Sequence, residues 1–421
     1  MAARTSKLRS PENLLIILAW LLYTICYLGK VNYSANITQI IDYYGVTKDQ
    51  AGMAPSFFFF AYGIGQVING LFCKKYNIKW MVFGGMALSA AVNLLVPLTT
   101  DFSVIKWLWM VNGIALSVLW PTLIRMLSEA LPRRALGRSS VFMGTTVGLG
   151  TLIIYGLSAI FARFGNFKLA FFTAAIVGGA VAVLWLVLYN RASDMAKAER
   201  AISDEPEEVP VETKGAPGRL DATEHRLIYT TIGFLCFFAI GINLIKDGLT
   251  TWVPSIMKES YGFDDSLSIL LTLTLPITAI FGNLFALWLH KKVPDYVRHC
   301  GIVVLMMGVL LLGLIASIKV SWILLLSGMI VVGYLAASLN SLNTSIFPMF
   351  MRDKVNSGLM AGLLNGFCYV GSTISSYGLG AVAERFNSWA AVFWVLFGFC
   401  AVAMVAWLIY AVAVKIIKHH T

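Results

Sequence analysis

Between Leu14 and Ile41 the only charged side chain is Lys30. At about 1.5 Å of rise per helical residue, such a stretch is longer than a hydrocarbon core of roughly 30 Å. Comparable apolar runs recur at 14–38, 53–73, 80–98, 104–128, 139–161, 169–190, 227–257, 266–289, 297–316, 321–345, 357–380 and 389–414. An unpaired peptide group is so costly in lipid that a spanning segment must be a helix or part of a closed barrel, and barrel strands would be alternating segments of about ten residues. The runs therefore predict an all-α, multi-pass membrane protein of twelve transmembrane helices. Composition agrees, with 13% charged residues where a soluble domain has about a quarter. The first apolar run is too long for a signal-peptide core and no small-residue cleavage site follows it, so the N-terminus is expected to be kept.

A net charge of +11 could point to nucleic acid, but the placement of the charges argues against such a partner. Arg4, Lys7, Arg9, Lys74, Lys75, Lys79, Arg133, Arg134, Arg138, Lys291, Lys292, Arg298, Arg352, Lys354, Lys415 and Lys418 fall in segments on one side of the predicted helices. The other side holds only Lys48, Lys106, Arg163, Lys168, Lys258, Lys319 and Arg385. The positive-inside rule then places both termini in the cytoplasm, with the lipid bilayer of the plasma (inner) membrane as the surroundings. The six cysteines have neither paired nor metal-like spacing, and no histidine sits mid-helix for a proton relay. No metal, cofactor or disulfide is expected. Catalysis would need a nucleophile, an acid–base pair or a metal cluster near the membrane interface, and no recognisable spacing supplies one.

Residues 191–224 interrupt the pattern with "SDEPEEVPVETKGAPG", too polar and Pro-rich to bury an apolar face. This segment reads as a flexible cytoplasmic linker between an N-terminal half, 1–190, and a C-terminal half, 225–421. The halves resemble each other: "GLSAIFARFGNFKLAFF" from Gly156 aligns with "GLGAVAERFNSWAAVFW" from Gly378 at one constant offset. A duplicated six-helix unit is the arrangement of major facilitator transporters, which bind solute near the midplane between the halves.

Few ionisable residues remain inside the apolar runs: Lys30, Lys246 and Asp247, with Arg125 and Glu129 nearer a helix end. A charge at the bilayer centre costs from about 2.5 to over 10 kcal/mol and usually faces a cavity. Lys30 lies in the first helix of the first half and Lys246 in the first helix of the second. Tyr23, Tyr27, Lys30 and Ser34 share one helical face; Tyr62, Gln66 and Asn69 form a stripe on the second helix; Asn365, Tyr369, Ser372 and Ser376 form one on the eleventh; and Asn243 is one turn from Lys246. Each stripe alone is explained by helix-to-helix hydrogen bonding. Several converging with two lysines favour a wet, positively charged pocket for a small anionic solute.

At these residues the chain resembles the organophosphate:phosphate antiporters of the major facilitator superfamily, which include glycerol-3-phosphate and hexose-phosphate transporters and related sensors. "YLGKVNYS" is similar to the first-helix motif, with Lys30 at the position of an essential arginine. "IKDGLTTWVPSIM" is similar to the seventh-helix motif, with Lys246 at a second arginine and Trp252 and Pro254 at its Trp-x-Pro. The resemblance implies a twelve-helix major facilitator fold that rocks to exchange a phosphate ester for inorganic phosphate, with tyrosines at Tyr23, Tyr27 and Tyr369 lining the site and a monomer as the working unit. It departs from the pattern where lysines replace both arginines, where Gln66 replaces a pocket lysine, at Thr145, which falls near a fifth-helix histidine, and at Lys74, where the loop motif "GLFCKKYNIK" usually has aspartate. Lysine is a point charge without arginine's planar fork. "YLGKVNYS" is also similar to a motif of proton-coupled anion symporters that carry carboxylates such as sugar acids, except that Gly29 stands where they have an acidic residue. A transporter-like ligand sensor is a further alternative. The expected binding set is Lys30, Lys246, Tyr23, Tyr27, Gln66, Tyr369, Asn365, Asn243 and Trp252. Asp247, Arg125 and Glu129 are expected in coupling or gating, Arg125 and Glu129 as a structural pair, with protons or inorganic phosphate as the coupling species.

Overall fold

The computed structural model describes residues 11–72, 75–203, 222–347 and 357–419, nearly all of them helical. The helices are α1 (Asn13–Cys26, Leu28–Ala35 and Ile37–Tyr44), α2 (Lys48–Phe72), α3 (Ile78–Leu95), α4 (Phe102–Ser117 and Leu119–Ala130), α5 (Arg133–Arg163), α6 (Lys168–Ser203), α7 (Ala222–Tyr261), α8 (Asp265–Thr272 and Thr274–Lys292), α9 (Tyr296–Ser317), α10 (Trp322–Ser341, ending in a π turn at Leu342–Ile346), α11 (Ser357–Phe386) and α12 (Trp389–His419). Ten of these segments are long and apolar enough to cross a membrane unaided. The remaining two are α8 and α11. In α11, Asn365, Ser372, Thr373, Ser375 and Ser376 dilute the apolar character, and the helix lies packed against α2 and α7.

Local chemistry explains the breaks and ends. Pro121 and Pro276 each lack an N–H and crowd the carbonyl four residues earlier, at Ser117 and Thr272, where α4 and α8 are interrupted. Asp264 and Asp295 cap α8 and α9 by accepting from the backbone N–H groups of Leu267 and Arg298. Gly45, at φ +61°, closes α1 in the left-handed conformation. Of the expected linker at 191–224, residues 191–203 are instead helical, because α6 continues to Ser203, and 222–224 open α7. Residues 191–203 are mostly Ala, Arg, Glu, Lys, Met and Ser without Gly or Pro, and Ala192, Ser193 and Ala196 are buried. Residues 204–221 and Lys74 lie outside the described residues.

The first six helices and the last six meet along three seams, α1 with α7, α2 with α11, and α5 with α8. Closest approach is at Gly52, where a Cβ would lie 2.2 Å from the Ser376 carbonyl oxygen. Only glycine permits that backbone contact. α1 begins and α12 ends at one end of the bundle, the terminal end. At the opposite end Lys48 pairs with Glu259 (3.3 Å) and Glu384 (3.4 Å) across the seam, and Lys258 joins Asp42 (2.5 Å) and Asp265 (2.9 Å). Ser266 donates to Ala159 O, Tyr155 to Thr250 O, and Ser56 to Thr373 O. Hydrogen bonds and ion pairs join the halves from this end as far as Gln66 and Asn365. The halves are closed at one end.

Candidate functional site

Lys30 lies in the middle segment of α1, held from behind by a buried amide cluster. The Gly29 carbonyl accepts from Asn112 Nδ2 (2.7 Å) and Asn93 Nδ2 (3.3 Å), Asn32 Nδ2 donates to Asn93 Oδ1 (2.8 Å), and Ser89 Oγ donates to Asn112 Oδ1 (2.6 Å). A Cβ at Gly29 would lie 2.8 Å from Asn93 Nδ2, so the position suits the amide packed on it better than the acidic residue of the symporter motif. In front, the Lys30 ammonium is 3.9 Å from the centre of the Tyr62 ring, 4.9 Å from Tyr27, 5.7 Å from Tyr369 and 5.9 Å from Phe58. Ring faces attract a cation by about 0.5–2 kcal/mol each when desolvated. Lys30 is 8% exposed. The ion pairs among the described residues involve Lys48, Arg125, Arg134, Arg138, Lys246 and Lys258, and none includes Lys30.

Both halves build this cage. Tyr27, Phe58 and Tyr62 come from the first, and Tyr369 from α11 of the second, its ring 4.9 Å from Tyr62. Gly63 leaves the space that Tyr369 needs, since a Cβ there would lie 2.8 Å from the Tyr369 Cβ.

Lys246 is held differently. Its ammonium is 3.2 Å from Asp247 Oδ1, and Ser372 Oγ donates a short hydrogen bond to Asp247 Oδ2. Asp247 is thus turned toward α11, which its place in the sequence left open. Ser372 lies three residues after Tyr369, so one stretch of α11 touches both lysine environments. Asn243, one turn before Lys246, donates to Asn340 Oδ1 (3.1 Å) and ties α7 to α10.

A polar cavity of about 270 Å³ lies beside the cage, walled by Tyr23, Gln66, Trp120, Val147, Asn340, Ser341, Thr344, Asn365 and Tyr369. Asn365 Nδ2 donates to Gln66 Oε1 across the seam (2.6 Å), and Gln66 Nε2 donates to the Tyr62 hydroxyl (2.8 Å). Tyr369 thus belongs to both cavity and cage. Of the expected binding set, Tyr23, Gln66, Asn365 and Tyr369 wall the cavity. Tyr27 and Lys30 adjoin the Tyr62–Tyr369 pair, Asn243 bonds the cavity-wall residue Asn340, and Lys246 pairs with Asp247. Trp252 is not brought into this group: it is buried against Trp389 (ring centres 5.7 Å apart) under Gly380, toward the closed end.

Arg125 and Glu129 pair at 2.8 Å one helical turn apart. They wall a separate polar pocket inside the first half, shared with Tyr76, Lys79, Tyr189, Asp194 and Lys197, and Arg200 donates to the backbone carbonyls of Ser128 and Glu129. Sequence reasoning missed Trp120, Asn340, Ser341 and Thr344 as lining residues, and the Asn32–Asn93–Asn112 support. The signal was there, because an isolated amide in an apolar helix needs a partner. What one sequence does not give is which amide meets which.

Two six-helix halves closed at one end, with a polar cavity and a buried lysine where they meet, define a membrane transporter of the alternating-access type. The chain belongs to the Major Facilitator Superfamily, whose sequence profile matches residues 19–357. It is 24% identical over 396 residues to the glycerol-3-phosphate transporter of Bacillus subtilis, an alignment spanning 91% of this chain and 88% of that protein. It is 20% identical over 405 residues to a probable hexose phosphate transport protein of Chlamydia muridarum, spanning 92% and 88%. Among solved structures, that of the nucleoside transporter NupG superposes with a TM-score of 0.65 at 15% identity, covering 95% of this chain and 98% of the other, which establishes a shared fold. The protein is an integral membrane transporter, not an enzyme.

Proposed function

We propose that the protein carries a small organic anion across the plasma (inner) membrane, a phosphate ester such as a sugar phosphate or glycerol phosphate, in exchange for inorganic phosphate. The observation that carries this reading is Lys30: a buried ammonium with aromatic walls and no carboxylate partner, where the two halves touch, beside an uncharged polar cavity. A buried cation without a counter-ion is costly, and an anionic solute offsets that cost. The relatives' names, a glycerol-3-phosphate transporter and a probable hexose phosphate transport protein, support the ester. Gln66, Asn340, Ser341, Thr344 and Asn365 offer neutral donors and acceptors to its hydroxyl groups.

The basic loops favour cytoplasmic termini, which makes the closed end the outer one and this state inward-facing. The Tyr62–Tyr369 pair lies between the halves beside both Lys30 and the cavity. Because that pair spans the halves, its displacement is the natural trigger for rocking. A second reading, proton-coupled symport of a carboxylate such as a sugar acid, is favoured by Asp247, a titratable group in contact with Lys246 and α11. The test is uptake into proteoliposomes loaded with inorganic phosphate. Uptake of labelled glycerol 3-phosphate or a hexose phosphate that stops when internal phosphate is omitted supports exchange. Uptake of a sugar acid that follows an imposed proton gradient and ignores internal phosphate supports the symporter and overturns the first reading.

A further inference from the structure

The two lysines do not contribute equal charge. Lys246 is neutralised by Asp247 at 3.2 Å, and that carboxylate is further held by Ser372. Lys30 has aromatic rings and the hydroxyls of Tyr27 and Tyr62 around it, and no carboxylate among the described residues. Counting formal charge over the site gives two ammonium groups and one carboxylate, a balance of +1. The other titratable groups facing these residues are Cys26, Tyr27 and Tyr62 beside Lys30 and Tyr155, Cys368 and Tyr369 beside Asp247. These are thiols and phenols, which carry no formal charge in the count. The cavity walls are amides, hydroxyls and rings.

We infer that the site balances a single negative charge, so that the solute crosses as a monoanion: a phosphate ester in its singly protonated form, or a carboxylate. This rests on the anion-transport reading above and narrows it. A dianion would leave one negative charge uncompensated in a low-dielectric cavity, whereas a monoanion matches Lys30 and leaves the Lys246–Asp247 pair intact. Lysine suits this task, since one point charge is what the balance asks for and a bidentate fork is not.

The experiment is isothermal titration of the purified full-length protein with glycerol 3-phosphate and with glycerate at pH 5.5 and 7.5. A phosphate ester loses its second proton near pH 6. Its monoanion therefore falls about 25-fold in abundance between these two pH values, and the apparent Kd is expected to rise about 25-fold with it. Glycerate is a monoanion at both, and its Kd is expected to change less than about twofold. Asp247→Asn raises the balance to +2 and should flatten or reverse the glycerol 3-phosphate trend. The double variant Lys246→Gln/Asp247→Asn restores +1 and should restore the steep trend, which separates charge from damage to the fold. Binding of glycerate alone, unchanged between the two pH values, identifies the carboxylate as the source of the charge. A wild-type Kd for glycerol 3-phosphate that stays level or falls from pH 5.5 to 7.5 overturns the inference, as does an Asp247→Asn variant that keeps the wild-type trend. Failure of both solutes to bind at either pH overturns instead the substrate class on which it rests.

Discussion

Lys30 and Lys246 lie in the first helices of the two halves, yet the first is caged by Tyr27, Phe58, Tyr62 and Tyr369 while the second rests on a carboxylate. The difference teaches how two halves can hold a cation in different ways. Rings hold a cation by its positive charge without neutralising it, so Lys30 keeps its full demand for an anion. A carboxylate satisfies that demand internally, so Lys246 is stabilised in the empty protein and has less to gain from solute. In the function proposed above, the aromatic side is the anion's anchor, and the ion-pair side sets how much charge is tolerated.

This comparison fails or holds on paired variants. Lys30→Gln should lower transport about 100-fold or more, because it removes the uncompensated charge, and no substitution at Asp247 should rescue it. Lys246→Gln should also cost transport, since it leaves the Asp247 carboxylate, 20% exposed, without its cation, at less than the roughly 3–5 kcal/mol that a fully buried pair would lose. Here rescue is expected: Lys246→Gln/Asp247→Asn should return to within about fivefold of wild type. Initial uptake rates in proteoliposomes, normalised to monodisperse protein, measure both. Equal losses in the two single variants with no rescue in the double would end the distinction between the lysines.

Gly63→Ala tests the cage wall rather than the charge. The added methyl would press on the Tyr369 Cβ at 2.8 Å and push the ring toward Lys30 or into the cavity. A loss of about tenfold in apparent affinity is expected, with the fold retained, because overpacking of this kind costs typically 1–3 kcal/mol. A smaller effect belongs to Gln66→Ala. It deletes the 2.6 Å bond to Asn365 and the 2.8 Å bond to Tyr62, for an increase in KM of about fivefold at about 0.5 kcal/mol per bond, the low end of the usual net worth, since water in the polar cavity can replace the lost partner.

The helices and both lysines were legible in the sequence, because length, hydropathy and the cost of a charge in lipid act on each segment independently of the rest. Tyr23, Gln66, Asn365 and Tyr369 were legible for the same reason, as polar stripes on apolar helices that must face something. Trp252 was misleading. It sits in a motif beside Lys246, but six residues later it lies between one and two turns farther along α7, where it packs on Trp389. Asn340 and Thr344 were invisible as lining residues because α10 carries them at its π turn, a local widening that re-aims side chains and that hydropathy does not report. The late start of the linker was readable in composition, had the helix formers of 191–203 been weighed against the proline that follows them.

The smallest expected effect lies farthest from the lysines. Lys48 joins the halves at the closed end through Glu259 and Glu384 at 3.3 and 3.4 Å, and its two partners are 40% and 39% exposed. Pairs so open to solvent are worth about 0–1 kcal/mol and are screened by salt. Lys48→Ala should therefore leave solute affinity unchanged and favour opening of that end by no more than about fivefold. A cysteine placed at Asp49 and probed with a membrane-impermeant thiol reagent reads the opening, and raising the salt concentration should produce the same increase in the parent protein carrying Lys48. Gly52→Ala differs in kind, since a methyl 2.2 Å from the Ser376 carbonyl cannot be screened. It should open the closed end regardless of salt. If Lys48→Ala instead opens that end as fully as Gly52→Ala does, then charge holds the halves together there, and backbone packing along α2 and α11 does not.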